Sequence, residues 1–253
     1  MHPIFLQLGF LTIRSYGVMM ALSFVLGIGL AVVLNRRDRR EDDLIFDVAT
    51  WIMIGAVAGA RLLYVIVEPR DYLAQPWRVF FVWEGGLVYY GGLIGASLLT
   101  YWYLKKIKAP LWSVADCLAP GLALGQVTGR FGCFFNGCCY GVEDHAHGMV
   151  FPSLNDGIPH LPVMLYEAGF CLLLSAYLAW FWRRKAYDGQ VFWSYVMLYA
   201  IWRFFIEFLR GDVERGTLIN AALSPSQWIS LGGLALALLV LYKLPRQLAA
   251  KAH

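Results

Sequence analysis

The sequence predicts an all-α, polytopic membrane protein with about seven transmembrane helices, and three observations lead there. Of 253 residues, 59% are hydrophobic and only 15% charged, against about 25% charged in ordinary soluble domains. Mean hydropathy is +0.57. The apolar residues gather in windows of about 17 to 20, the length that crosses ~30 Å of hydrocarbon at ~1.5 Å per residue. In such a chain a net charge of +4 concerns loop topology, and nucleic acid is not an expected partner.

Met1 to Ser15 lacks the basic stretch and small-residue cleavage site of a secretory signal, so the first apolar run is expected to be retained. Seven spans follow, at residues 17–34, 48–67, 87–104, 111–128, 164–182, 191–208 and 228–242. No repeat and no room for a soluble domain separates them, so residues 1–253 read as a single integral membrane domain. Basic residues cluster in alternate loops: Arg36, Arg37, Arg39 and Arg40; Lys105, Lys106 and Lys108; Arg183, Arg184 and Lys185; Lys243, Arg246 and Lys251. The positive-inside rule then puts the amino terminus outside and the carboxyl terminus in the cytoplasm. The outer segment from Glu68 to Gly86 sets Trp77, Phe80, Phe81 and Trp83 around Arg78 and Glu84, a composition expected in the headgroup layer. Gly55 with Gly59, and Gly91 with Gly95, have the small-xxx-small spacing of close helix packing.

Ionisable groups inside a bilayer cost at least ~2.5 kcal/mol each, so those retained are candidates for function. From the rise per residue, Arg203 and Arg61 both lie roughly 18 Å up their spans, in the outer half of the membrane. Arg130 ends span four, and Tyr16, Tyr90, Tyr166 and Glu167 lie near the external ends of spans one, three and five. Arg203, Glu207 and Arg210, spaced i, i+4, i+7, share one helical face. Several guanidinium groups near the outer leaflet suit a phosphate, whose oxygens the planar fork matches in pairs. The stretch Gly129-Arg130-Phe131-Gly132-Cys133-Phe134-Phe135-Asn136-Gly137-Cys138-Cys139-Tyr140-Gly141 has glycines so frequent that a tightly turned or re-entrant segment is expected instead of continuing helix. An anion at headgroup depth, reached from the membrane, is most simply a phospholipid.

Several segments in order resemble the prolipoprotein diacylglyceryl transferase family. They are Ile13 to Gly17, Gly59-Ala60-Arg61, Glu84-Gly85-Gly86 through Gly91-Gly92, Val114-Ala115-Asp116 through Pro120, Gly129-Arg130-Phe131-Gly132 through Asn136-Gly137, Leu165-Tyr166-Glu167, and Trp202-Arg203 through Arg210. The resemblance implies transfer of a diacylglyceryl group from phosphatidylglycerol to the lipobox cysteine of a prolipoprotein, with release of glycerol phosphate. The expected setting is the bacterial cytoplasmic (inner) membrane, with the site toward the external leaflet. Phosphatidylglycerol, prolipoprotein signal peptides and membrane lipids would be the partners; no cofactor and no metal is implied. Arg130 and Arg203 would bind the phosphate, Glu207 would orient Arg203, and Tyr90 would stand at the catalytic position of a family histidine. Tyr16, Arg61, Asn136, Gly91, Gly92, Tyr166, Glu167 and Arg210 would line the substrate site. The chain departs from the family pattern at Tyr90 (histidine), Cys133 (asparagine), Cys138 (glutamate) and Leu161-Pro162-Val163-Met164 (a His-Pro-x-Gln run). The expected base is therefore replaced, although a substrate thiol near arginines yields thiolate readily.

Three other readings compete. Cys133, Cys138 and Cys139, with His145, His147 and His160 on the same outer segment, invite a metal or, for the cysteines, a disulfide; the spacing fits no standard zinc pattern. Cys138 as a covalent nucleophile lacks an evident partner base. A phospholipid or small-anion carrier, or a divergent paralogue acting on another lipid, could use the same scaffold, but carriers bind at the midplane and these charges lie near one face.

Overall fold

A computed structural model describes residues 1–8, 11–37, 42–69, 72, 75–81, 85–211 and 223–251. Arg39, Arg40, Trp83 and Glu84 of the sequence reading, with Arg70 and Arg215, lie outside the described residues. The chain is mainly helical: α1 (Ser15–Arg37), α2 (Asp43–Val67), α3 (Tyr89–Lys106), α4 (Leu111–Asn136), α5 (Val163–Trp182), α6 (Gln190–Ile206) and α7 (Pro225–Lys251). Among the described residues five segments, Ser15–Arg37, Asp43–Val67, Val163–Trp182, Gln190–Leu209 and Pro225–Pro245, are long and apolar enough to cross a membrane. The two helices that fall short, α3 and α4, are those with the most interruption by glycine and polar residues, including Gly91, Gly92, Asp116, Gln126 and Arg130. Large apolar side chains stay exposed on the helices, Ile66, Leu98, Leu173 and Phe205 among them. Water would not tolerate so much of that surface; lipid does.

Two small antiparallel ladders, which hydrophobic periodicity does not predict, modify the all-α expectation. β1 (Ile4–Leu8) pairs with β2 (Leu11–Arg14), and β3 (Met149–Val150) with β4 (Pro159–His160). The first leads into α1, whose start is tied back by Ser15 N–H donating to Pro3 O at 3.0 Å.

The chain forms two compact units, residues 35–114 and residues 1–34 with 115–253. In the first, α2 and α3 cross where the paired glycines predict. A Cβ on Gly59 would stand 2.3 Å from Gly91 O, and one on Gly95 2.2 Å from Gly55 O. In the second, α1 meets α4 in the same manner, with Gly121 against Gly27 and Ser23 Oγ 2.6 Å from Thr128 Oγ1. Its core lies along α4 and α5 at Val127, Ala168 and Cys171, and Phe170 stacks flat on Trp202 of α6 with ring centroids 4.3 Å apart.

Asp116 of α4 caps a helix other than its own. Its carboxylate accepts from Gly189 N–H at 2.8 Å and Phe192 N–H at 2.9 Å, and Lys185 Nζ lies 3.1 Å away. An anion at that end satisfies the unpaired donors and complements the dipole of α6, the helix that carries Arg203.

Candidate active site

The glycine-rich stretch is helical as far as Asn136, against expectation. Its glycines serve close approach instead of turning. A Cβ on Gly132 would press on Met19 and on the Tyr16 ring, each at 3.2 Å, and one on Gly125 would meet Ser23 O at 3.2 Å. The turn comes at Gly137, with φ of +72°. There Gly137 N–H donates to Phe134 O at 3.2 Å and Cys138 N–H to Cys133 O at 3.1 Å, the paired bonds of a Schellman closure. The helix thus delivers Arg130 nearly two turns inside its end and leaves Asn136, which is exposed, at its last residue.

Two arginine–carboxylate pairs form in the unit that contains α4, α5 and α6. Arg130 Nη2 donates to Glu167 Oε1 at 2.5 Å, and the Tyr199 hydroxyl donates to the same oxygen at 3.1 Å. Glu167 is 1% exposed. Arg203 Nη2 stands 2.7 Å from Glu207 Oε2 in an ion pair without hydrogen-bond alignment, and it donates to Ser226 Oγ at 3.3 Å. Ser224 Oγ donates to Glu207 Oε1 at 2.8 Å. Tyr199 stands one turn before Arg203 on α6, so its hydroxyl ties the Arg130–Glu167 pair to the helix that carries Arg203. Glu167 Oε2 and Arg203 Nη1 are buried with no hydrogen-bond partner among the described residues. Such atoms cost ~1–3 kcal/mol apiece and are expected where a ligand completes the set.

Tyr199, Ser224 and Ser226 escaped the sequence reading. Tyr199 had a legible signal, because it precedes Arg203 by four residues and shares its helical face. Ser224 and Ser226 reach the site through the fold alone. Arg210 does not share the face of Arg203. The helix tightens into a 3-10 turn at Glu207–Leu209, and Arg210 leaves it extended, at φ −82° and ψ 135°. Its backbone bridges Gly141, while Val142 N–H donates to Leu209 O at 2.9 Å and Gly141 N–H to Leu161 O at 2.7 Å. A Cβ at Gly141 would come within 2.6 Å of Leu209 O, so this junction requires glycine. Tyr16 and Tyr166 are each about two-fifths exposed, at 41% and 39%.

Arg61, Tyr90, Gly91 and Gly92 belong to the other unit. Arg61 is 4% exposed and its donors go to main chain: Val79 O at 3.0 Å, Gly85 O at 2.5 Å, Arg78 O at 2.6 Å and Phe81 O at 3.1 Å. Its guanidinium also faces the Tyr72 ring at 5.3 Å. In this arrangement Arg61 organises the outer segment. Gly85 and Gly86 close the segment at φ of +90° and +68°. Tyr90 opens α3, 42% exposed, and Gly91 and Gly92 pack against α2.

The sulfur and imidazole groups separate. Cys133, Cys138 and Cys139 bring their Sγ atoms within 4.8 Å of one another. His160 takes Asp156 at 3.0 Å and Gly141 O at 3.2 Å, and His145 takes Glu143 at 2.9 Å. On this loop the Ile158 N–H and His160 hold the Asp156 carboxyl below its ordinary range, and the His147 and Ala146 N–H groups do the same for Asp144.

The family model described as prolipoprotein diacylglyceryl transferase matches residues 3–243. A protein of Bordetella bronchiseptica is 36% identical over 243 residues, covering 90% of this chain and 90% of its own. One from Nostoc sp. is 33% identical over 249 residues, 93% of this chain and 87% of its own. One from Clostridium tetani is 35% identical over 238 residues, 91% and 93%. All three are named phosphatidylglycerol–prolipoprotein diacylglyceryl transferase.

Proposed function

We infer the reaction from the premise that this chain belongs to the prolipoprotein diacylglyceryl transferase family. It transfers the diacylglyceryl group of phosphatidylglycerol to the lipobox cysteine thiol of a prolipoprotein and releases glycerol phosphate. The observation that carries this reading is the pair of arginine–carboxylate ion pairs, Arg130–Glu167 and Arg203–Glu207, with the Tyr199 hydroxyl on Glu167. In the reaction a thiolate sulfur attacks the glycerol carbon that bears the phosphoester oxygen. The S–C bond forms as the C–O bond breaks, and the electron pair stays with glycerol phosphate, which gains a second negative charge; the thiol proton goes to solvent.

Stabilisation is needed where that charge develops, and donors aimed there in a dry site supply it. We assign Arg130 and Arg203 to the phosphate, with the unpartnered Arg203 Nη1 as the free donor. Glu167 and Glu207 orient the two guanidinium groups, and Tyr199 and Ser224 position the carboxylates. Tyr16, Asn136, Tyr166, Gly91, Gly92 and Arg210 are assigned to substrate binding by the family resemblance, and Tyr90 to the position of the family histidine. Arg61 acts as a positioning residue through the outer segment.

Seven spans, an external amino terminus and a cytoplasmic carboxyl terminus within a single membrane domain complete the proposal. So do residence in the bacterial inner membrane, a site at the external leaflet, and signal peptides as the protein substrate. The alternating basic loops support this orientation. Complementation of a strain depleted of its own transferase tests class and reaction together. Growth with lipid-modified prolipoprotein is expected; absence of modification despite normal membrane insertion would leave a lipid or anion carrier as the better reading.

A further inference from the structure

The three cysteines of the loop after α4 are not used by the transfer reaction, yet they converge. The helix cap explains two of them. In a Schellman closure the residue after the left-handed glycine lies over the residue five back, commonly in apolar contact. Cys138 follows Gly137 and donates its N–H to Cys133 O, so these two thiols meet as a consequence of ending the helix. Cys139 has no such reason to join them. It does so because its own backbone is left-handed, at φ of +64°, a conformation that a residue with a Cβ seldom adopts. The two adjacent side chains therefore point to one centre together with Cys133, instead of diverging as neighbours in extended chain do.

The surroundings are soft and largely apolar, with Cys138 and Cys139 half-buried. Cys133 and Met164 are buried, and Met1, Met149, Tyr140 and Phe134 pack around the cluster with Phe151. The nearby imidazoles are committed to carboxylates, His160 to Asp156 and His145 to Glu143. The convergent donor set is thus all sulfur, the set that selects thiophilic ions over magnesium or calcium. Distances agree. Thiolates at ~2.3 Å from one ion stand roughly 3.8 Å apart in a tetrahedron and roughly 4.0 Å apart in a plane, and the three Sγ atoms lie within 4.8 Å of one another. A disulfide would use two of the sulfurs at ~2.05 Å and leave the third without a role, and the adjacent pair Cys138–Cys139 is poorly placed to form one.

We propose that Cys133, Cys138 and Cys139 form a binding site for a thiophilic d10 cation, Cu+ or Zn2+. Binding exchanges three thiol protons, released to solvent, for three metal–sulfur bonds, with no change in oxidation state. Arg130 and Arg210 lie within electrostatic range of Cys139. The ion would fasten the end of α4 to the strand-like segment 140–142, whose main chain is joined to residues 209–211 by Val142 N–H to Leu209 O and Gly211 N–H to Tyr140 O. It would therefore brace the stretch between Asn136 and Arg210 without touching substrate.

The purified full-length chain in detergent, reduced and desalted without oxygen, is offered Cu+ from a competing chelator and, in a separate arm, Zn2+. One ion per chain retained through desalting in at least one arm is expected. Alkylation of Cys138 and Cys139 should slow at least about tenfold, since the thiolate is both nucleophile and ligand. The triple variant C133S/C138S/C139S should lose retention, and C117S/C171S should keep it. If the triple variant does not fold, the alkylation rates of the unaltered chain decide alone. Retention of neither ion with unchanged alkylation, or undiminished retention in the triple variant, overturns the proposal. These readouts do not depend on transfer, so their failure is distinct from failure of the transferase reading.

Discussion

Arg61 and Arg203 carry the same guanidinium at similar calculated depth, and the two regions employ it in opposite ways. Around Arg61 the described residues present main-chain carbonyls of Arg78, Val79, Phe81, Gly85 and Gly86, with the Tyr72 ring beside them, and the carbonyls take its donors. Around Arg203 the protein presents a carboxylate and a hydroxyl and, among the described residues, leaves Nη1 unmatched. A guanidinium saturated by main chain is a fastening. One that is oriented by a carboxylate but retains a free donor is prepared for an incoming anion. Intramembrane arginine marks importance in both cases, and only the partners distinguish building from chemistry.

The sharpest way to break this contrast is at the second type of arginine. Arg130→Ala should reduce transfer to a lipobox peptide by at least about 10²–10³-fold, the cost of losing a donor to a developing anion. Its thermal midpoint is measured alongside, because the buried Glu167 carboxylate loses its partner. Arg61→Ala should act on folding first. It removes a buried guanidinium that gathers the carbonyls of four half-buried or exposed residues, so the thermal midpoint in detergent should drop before any assay of turnover is meaningful. Normal stability in that variant would dissolve the distinction between the two regions.

The residues that were legible from the sequence were those whose chemistry conflicts with a membrane. Arg130, Arg203 and Glu207 stand out because charge in hydrocarbon requires a reason, and each apolar window overlaps one of the helices α1 to α7, five of whose segments are long and apolar enough to span. Pairing was legible only within one helix. Arg203–Glu207 is an i, i+4 relation, whereas Arg130–Glu167 joins α4 to α5 and depends on how those helices pack. The glycine stretch misled because glycine has two uses. Frequency alone suggests a turn, but Gly125 and Gly132 lie on the face toward α1 and admit close packing, and only Gly137 turns the chain. The departure of Arg210 from the helical face had no sequence signal at all, since the 3-10 tightening at Glu207–Leu209 follows from the backbone junction with Gly141 and Leu161.

A finer test concerns the link between the two ion pairs. Tyr199→Phe removes the hydroxyl that donates to Glu167 and should lower transfer about tenfold, the equivalent of one lost hydrogen bond of ~1–1.5 kcal/mol, with peptide affinity unchanged. Loss as large as that of Arg130→Ala would make Tyr199 a participant in the chemistry instead of a positioning residue.

The smallest expected effect lies in the outer loop. Asp156 is held below the usual carboxylate range by Ile158 N–H and His160, so the folded form binds that proton less readily than the unfolded form. Its contribution is present above the ordinary carboxylate pKa and fades as pH falls through the depressed one. Hydrogen exchange of residues 149–161 should therefore accelerate below about pH 4, where an unperturbed aspartate takes up its proton. Asp156→Asn should show that acceleration already at neutral pH.

The central claim is that Arg203 grips a phosphate. The most direct measurement is a single-turnover assay of Arg203→Ala and Arg203→Lys with phosphatidylglycerol and a lipobox peptide, alongside thermal midpoints of both variants. Transfer below detection in the alanine variant and severely reduced transfer in the lysine variant are expected, because lysine keeps the charge but not the planar fork, with both chains folded. Full transfer by folded Arg203→Ala would contradict the account.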